Sequence, residues 1–188
     1  MTKRILDGAR SVFLKNGYER SSMRNIADEI NYSPGTIYFY FKDKGEIFHK
    51  LYEEGFRLLL NNSKVLDHVE DPFERLRANG RAYIQFALEN KDYYNLMFLV
   101  DEAADYKKEG LNLAGEAINQ LKGTVKACQE KGRFKDMSTD YLTFMILSTL
   151  HGICTLFCKD RTKNFTEHTT EELMTQGYQC FILMLERA

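Results

Sequence analysis

Between Ser22 and Lys44 the chain carries a concentration of groups that bind phosphate and base edges: the hydroxyls of Ser22 and Thr36, the phenols of Tyr38 and Tyr40, and the cations Arg24 and Lys44. A phenol hydroxyl at the tip of a rigid ring is a good donor to a phosphate oxygen. Thr36 offers a hydroxyl for phosphate and a methyl for a thymine methyl. Pro34 and Gly35 keep a helix start thin, so that backbone and Thr36 can approach a surface closely. Reading the major groove needs a short helix whose first residues reach base edges. Phe39 has no hydrogen bond to give, and contact with sugar, contact with a thymine methyl and simple packing all remain open for it. Ile37 and Phe41, one turn apart, read as core, and Tyr38 could share in that packing.

Short helices must hold these groups. A first helix from Thr2 to Asn16 puts Ile5, Leu6, Ala9, Val12 and Phe13 on one stripe. Gly17 stands where a left-handed C-cap is wanted. A second helix opens near Ser22 and turns Ile26, Ala27 and Ile30 inward, and Asn31 at its end tolerates a left-handed turn. Ser33 then reads as an N-cap and Pro34 as the first residue of a third helix, about Pro34 to Phe41. Asp43 caps a fourth, with Glu46 reaching back. Two short helices on a tight turn, braced by a first, make a helix-turn-helix.

The remainder is also helical: about Ile47 to Leu66, Asp71-Pro72 to Asn90, Tyr93 to Ala104, Leu113 to Glu130 with Gly132 closing it, Ser138 to Lys159 and Thr170 to Arg187. Strand-type alternation is nearly absent, so the fold class is all-α.

Across the 188 residues, 26 Lys/Arg and 27 Asp/Glu leave a net charge of −1, which excludes an evenly basic nucleic-acid coat. Residues 1–50 carry nine Lys/Arg and six Asp/Glu, a charge of +3, and the rest carry 17 and 21, a charge of −4. The basic bias sits where phosphate contacts would need it. The apolar run from Phe144 to Leu150 is too short and too polar at its edges for a membrane span, and Asp7, Arg10 and Lys15 break any signal-peptide stretch. No membrane partner is expected, and the location expected is the cytoplasm. Cys154 and Cys158 share a helix face, but no Cys/His cluster at metal spacing completes a site. Cys128, Cys154, Cys158 and Cys180 read as reduced core thiols. His49, His68, His151 and His168 lie in unrelated segments. No catalytic constellation, cofactor or metal is expected.

The run Ser22-Met23-Arg24-Asn25-Ile26-Ala27 with Ser33-Pro34-Gly35-Thr36-Ile37-Tyr38-Phe39-Tyr40-Phe41-Lys42-Asp43-Lys44 resembles the DNA-binding signature of the TetR/AcrR transcriptional regulators, as does the Phe13…Gly17-Tyr18 end of the first helix. The motif covers about the first 48 residues. Beyond it the likeness is in length, helix count and a His151-Gly152 pair. Asn31 stands where glycine is common in the family, and Gly45 where a helix-favouring residue is usual. The resemblance implies a DNA-binding domain over 1–48 and a helical ligand-binding and dimerisation domain over 49–188. It implies that Ser22, Arg24, Pro34, Gly35, Thr36, Tyr38, Phe39, Tyr40 and Lys44 face an operator, with Arg24 also able to reach a base.

One such unit makes few phosphate contacts, so useful affinity asks for two, on half-sites about 34–36 Å apart. The last two helices, about 138–160 and 170–187, are the natural homodimer surface, where a four-helix bundle would form. The competing reading buries both stripes inside one protomer. Tyr83, Phe86, Tyr94, Met97, Phe98, Phe144 and His151 are the candidate lining for a small apolar effector, against a plain-core alternative. The function expected is a ligand-responsive repressor in which a shift of the 47–66 helix moves the two reading heads out of register. An all-α enzyme and a helical interaction module are the alternatives.

Overall fold

The computed structural model describes residues 1–100, 107–165 and 167–187, and among these every regular element is a helix. In chain order they are α1 (Thr2–Asn16), α2 (Met23–Ile30), α3 (Pro34–Tyr38), α4 (Lys44–Lys64), α5 (Pro72–Glu89), α6 (Lys91–Phe98), α7 (Lys107–Glu130), α8 (Thr139–Cys158) and α9 (Thr170–Glu186). Short 3-10 turns follow α4 and α8. The residues gather into two compact units, Met1–Leu58 with Asn90–Ala114, and Leu59–Glu89 with Gly115–Ala188. These packing units cut the chain differently from the division at residue 48 that the resemblance implies, because α4 runs unbroken past that point and α6 returns to pack on α1.

In the first unit the α1 stripe is buried as its spacing predicts, with Ile5, Ala9 and Phe13 fully enclosed. Phe13, Tyr18 and Phe48 form a ring cluster with centroids 5.0–5.6 Å apart, which fixes α1 against α4. Burying such a ring stabilises by roughly 1.5–3 kcal/mol. Gly17 takes φ 78° but ψ 160°, so it ends α1 with a positive φ and an extended exit rather than the left-handed cap expected. Asn31 does adopt the left-handed conformation, φ 58° and ψ 47°, and its N–H closes on α2. On α6, Tyr94, Leu96 and Met97 are buried, and the Tyr93 hydroxyl donates to Glu54 at 3.0 Å. The helix expected over Tyr93–Ala104 is shorter: α6 ends at Phe98, where the Leu99 N–H closes on the Asn95 carbonyl. Residues 101–104 lie outside the described residues.

In the second unit α5, α8 and α9 pack together, burying Phe73, Leu76 and Ile84 with Leu142, Ile146, Leu150, Met174, Tyr178 and Ile182. Asp71 caps α5 by accepting from the N–H groups of Phe73 and Glu74, both at 2.9 Å, with Pro72 first in the helix. Thr169 and Glu172 form a full capping box on α9. The Tyr178 hydroxyl donates to the Arg77 carbonyl at 2.9 Å. It can do so because Gly80 leaves a notch for the phenol: a Cβ there would collide with it. Helix α7 begins at Lys107, earlier than Leu113, and Gly132 follows it at φ 91°.

Two sequence expectations are corrected in this unit. Helix α8 is long and apolar enough, by length and composition, to cross a membrane, with mean hydropathy 1.6 and a third of it buried. The apolar stretch is therefore the whole helix, 139–158, rather than the run 144–150, because Ser148, Thr149 and His151 interrupt it without ending it. The cysteines also divide. Cys128, Cys154 and Cys158 are buried core thiols, and burial pushes the Cys128 thiol up to about 11 and that of Cys154 up to about 12. Cys180 is exposed, because it lies on the outer face of α9.

Candidate nucleic-acid interface

Helix α3 is built to show three consecutive aromatics. Ser33 caps it, its Oγ accepting from the Thr36 N–H at 3.3 Å, and Pro34 supplies the first turn. Ile37 is fully buried and Phe41 nearly so, and this pair anchors the element from below. The residues between them must point away: Tyr38 is 56% exposed, Phe39 84% and Tyr40 41%. The helix is only five residues, ending at Tyr38 rather than running on to Phe41. The N–H groups of both Tyr40 and Phe41 turn to the Ile37 carbonyl, at 2.9 and 3.0 Å. The Phe39 and Tyr40 rings sit edge to face, centroids 5.3 Å apart. The Tyr38 share of core packing considered above is thus minor.

Gly35 is exposed, and a Cβ there would meet only the Ser33 hydroxyl, at an ordinary 3.7 Å. Nothing in the fold around it demands glycine at this point. The Thr36 hydroxyl pairs with that of Ser33 at 3.0 Å. Pro34 is half-buried beside it.

Ser22 and Lys44 both make contacts within the protein. The Ser22 hydroxyl donates to Asn25 Oδ1 at 2.7 Å and accepts from the Asn25 N–H at 3.1 Å, forming the capping box of α2 with its own N–H on Asn25 Oδ1 at 3.0 Å. Its hydroxyl and its backbone N–H are both engaged in the cap, so it shapes the start of α2. Lys44 directs its ammonium to three carbonyls, Tyr18 at 2.9 Å, Ser21 at 3.0 Å and Glu19 at 3.3 Å, and lies 4.3 Å from the centre of the Tyr18 ring. An ammonium has three N–H donors, and all three are engaged. Lys44 is a clamp on the α1–α2 loop, because that loop's outward carbonyls lie within reach of its flexible stem. Arg24 stays exposed on α2. Asp43 Oδ1 accepts from the Glu46 N–H at 2.9 Å, and Glu46 reaches back to the Lys42 N–H at 2.6 Å, one residue earlier than a standard capping box. Lys42 is itself exposed.

The candidate effector residues divide between the two units. In the second unit the Tyr83 hydroxyl lies 3.0 Å from His151 Nδ1, with the rings edge to face at 5.6 Å. Burial holds the His151 imidazolium below its ordinary range, so the ring is neutral near pH 7. Phe86 is fully buried. Phe144 is 66% exposed and does not line an interior; it projects from α8 because Leu142, Ile146 and Leu150 take the inner face. In the first unit Tyr94 and Met97 are buried, and Phe98 packs on Tyr94 and Phe56 at 5.0 and 5.6 Å.

Residues 5–51 match the family model described as "Bacterial regulatory proteins, tetR family", and residues 76–180 match "Tetracyclin repressor-like, C-terminal domain". The chain is 25% identical over 163 residues to the Escherichia coli (strain K12) protein "Probable acrEF/envCD operon repressor", covering 79% of this chain and 72% of that one. It is 30% identical over 93 residues to the "Fatty acid metabolism regulator protein" of Bacillus subtilis (strain 168), 50% of this chain and 43% of that one. The fold is similar to that of the regulator FadR from Bacillus subtilis in complex with stearoyl-CoA, with a TM-score of 0.77 at 18% identity over 97% of this chain and 98% of that one.

Proposed function

The chain belongs to the TetR family of bacterial transcriptional regulators, and on that premise we propose that it is a homodimeric repressor that leaves its operator when an apolar effector binds. The carrying observation is the outer surface of α3. Tyr38, at the end of a helix capped by Ser33 and thinned by Gly35, stands exposed together with Phe39 and Tyr40 in the turn that follows. A soluble surface gains nothing from three adjacent exposed aromatics, whereas a groove edge takes two phenol donors and one apolar ring. In this reading residues 1–48 form the reading head and 49–188 the dimerising and sensing part. Thr36, Tyr38, Phe39, Tyr40, Arg24 and Lys42 face DNA; Pro34 and Gly35 let the backbone approach; Ser22 and Lys44 hold the geometry.

The dimer surface is assigned to the outer faces of α8 and α9. Tyr141, Phe144, Met145 and Leu156 on α8, and Met184 on α9, are exposed at helical spacing. Gly152 and Gly177, on the same outward faces, have nothing within 4 Å of a built Cβ, which leaves room for close helix approach. Two such helices from each of two protomers would form a four-helix bundle. In this reading the dimer surface accounts for the apolar character of α8, and the protein works in the cytoplasm beside its DNA. Phe144 moves, in this reading, from the effector lining to the dimer face.

For the effector, a long-chain acyl-CoA is the first probe, since one relative is named a fatty acid metabolism regulator and a protein of the same fold was solved with stearoyl-CoA. The neutral Tyr83–His151 pair is a polar tip among apolar side chains, the pattern of a site for an apolar molecule with a polar end. No covalent chemistry is assigned to any residue. Selection of duplexes from a random pool by the purified chain tests the reading. It should enrich a palindrome with half-site centres about 34–36 Å apart; a pool with no enriched sequence would refute sequence-specific binding.

A further inference from the structure

The phosphate-facing charge of the reading head is smaller than its sequence suggests, because several cations are engaged within the protein. Lys44 clamps three carbonyls. Arg10 pairs with Asp7 at 3.1 Å, Lys50 with Glu53 at 3.3 Å, and Arg20 Nε donates to the Asn16 carbonyl at 3.1 Å. Another cation is brought close to the turn that opens α3. The Arg4 guanidinium lies 5.0 Å from the centre of the Tyr32 ring, and its Nη1 donates to the Tyr32 hydroxyl at 3.5 Å, across 28 residues of sequence. Tyr32 immediately precedes Ser33, the cap of α3. The first turn of α1 therefore stands beside the entry of the recognition helix, and both Lys3 and Arg4 are exposed there.

A guanidinium has five N–H donors, more than one phenol oxygen can accept. Resting on an aromatic ring also limits its wandering, so less entropy is lost when it meets an anion. A helix that enters the major groove has a phosphate wall on each side, and the residues flanking its cap lie nearest to one of them. We propose that Lys3 and Arg4 form a further phosphate-binding site, gripping the DNA backbone next to the groove that α3 enters, with Tyr32 positioning Arg4. This rests on the DNA-binding reading above and adds a contact from α1 that the helix-turn-helix motif does not include.

The test is a salt titration of the full chain on a fluorescein-labelled random-sequence duplex, followed by anisotropy, with Lys3→Ala, Arg4→Ala, Arg4→Lys and Lys15→Ala. Each lost phosphate contact should lower the slope of log K against log salt by about 0.9 per protomer. The slope should fall for Lys3→Ala and for Arg4→Ala, and should recover in Arg4→Lys. It should hold in Lys15→Ala, which removes the same charge about 16 Å further along α1, beyond the screening length at physiological salt. A wild-type slope in both Lys3→Ala and Arg4→Ala, or an equal fall in Lys15→Ala, would overturn the site while leaving the DNA-binding reading intact. Absence of salt-dependent binding by the wild type would sink that reading, and this site with it.

Discussion

The ammonium of Lys44 sits 2.9 Å from the carbonyl of Tyr18 and 4.3 Å from the centre of its ring. It ties the start of α4 to the loop between α1 and α2. Charged hydrogen bonds of this kind are worth more than neutral ones, and leaving a part-buried carbonyl unpaired carries its own cost. Lys44→Met is expected to destabilise the fold by on the order of 2 kcal/mol, lowering Tm by roughly 4–8 °C for a chain of this size. Thermal melts check this. If instead Tm holds and DNA affinity falls, Lys44 is a phosphate ligand and the clamp is secondary.

Gly80 gives Tyr178 its place. Alanine at an open helix position would gain about 1 kcal/mol over glycine, but here the new methyl collides with the phenol that donates to the Arg77 carbonyl. Displacing a buried ring is expected to cost more than that gain, so Gly80→Ala should lose about 1–3 kcal/mol net. Adding Tyr178→Leu should make the pair less than additive. Denaturant unfolding of the three variants measures it, and a stabilised Gly80→Ala would contradict the notch.

His151 makes stability depend on pH in a defined direction. Burial lowers its pKa in the fold below the ordinary 6.5, so as pH falls the unfolded chain takes up a proton that the folded chain resists. The stability contribution is whole above about 6.5 and is lost as pH falls from there through the folded-state value. Wild-type Tm should therefore drop between pH 7.5 and 5.5 more than that of His151→Gln. Parallel Tm curves for the two proteins would refute the assignment.

Phe144 separates folding from assembly. Its ring is 66% exposed in the protomer, so Phe144→Glu should leave the helical circular dichroism of the protomer unchanged while placing a carboxylate on the proposed dimer face. Light scattering should give twice the 22.0 kDa chain mass for the wild type and the single mass for the variant. A wild-type monomer at micromolar concentration would dispose of the α8–α9 interface.

Much of the reading head was legible in the sequence because short-range rules decide it. The caps at Ser33 and Asp43, the left-handed Asn31 and the α1 stripe each depend on neighbours within one or two turns. What escaped depended on distant partners or on side-chain reach. Nothing local told that Lys44 would find carbonyls 23 to 26 residues earlier, or that Arg4 would lie on Tyr32. Ser22 was a cap before it was a ligand, since Asn25 at the third helical position completes the box as glutamine or glutamate usually does. On α8 the apolar residues run nearly all round the helix, so periodicity could not say which side met the protomer's own core. Phe144 fell on the other side.

The central claim is that the exposed α3 surface binds duplex DNA, and anisotropy on the selected operator tests it most directly. The wild type should bind with an affinity that weakens steeply as salt rises, and should prefer that operator to a scrambled duplex by at least about 10³-fold. Tyr38→Phe and Tyr40→Phe, each losing one donor per protomer while keeping the fold, should each weaken binding several-fold, at about 1 kcal/mol per hydrogen bond. Equal binding of operator and scrambled duplex, or no change on loss of both phenol hydroxyls together, would contradict the account.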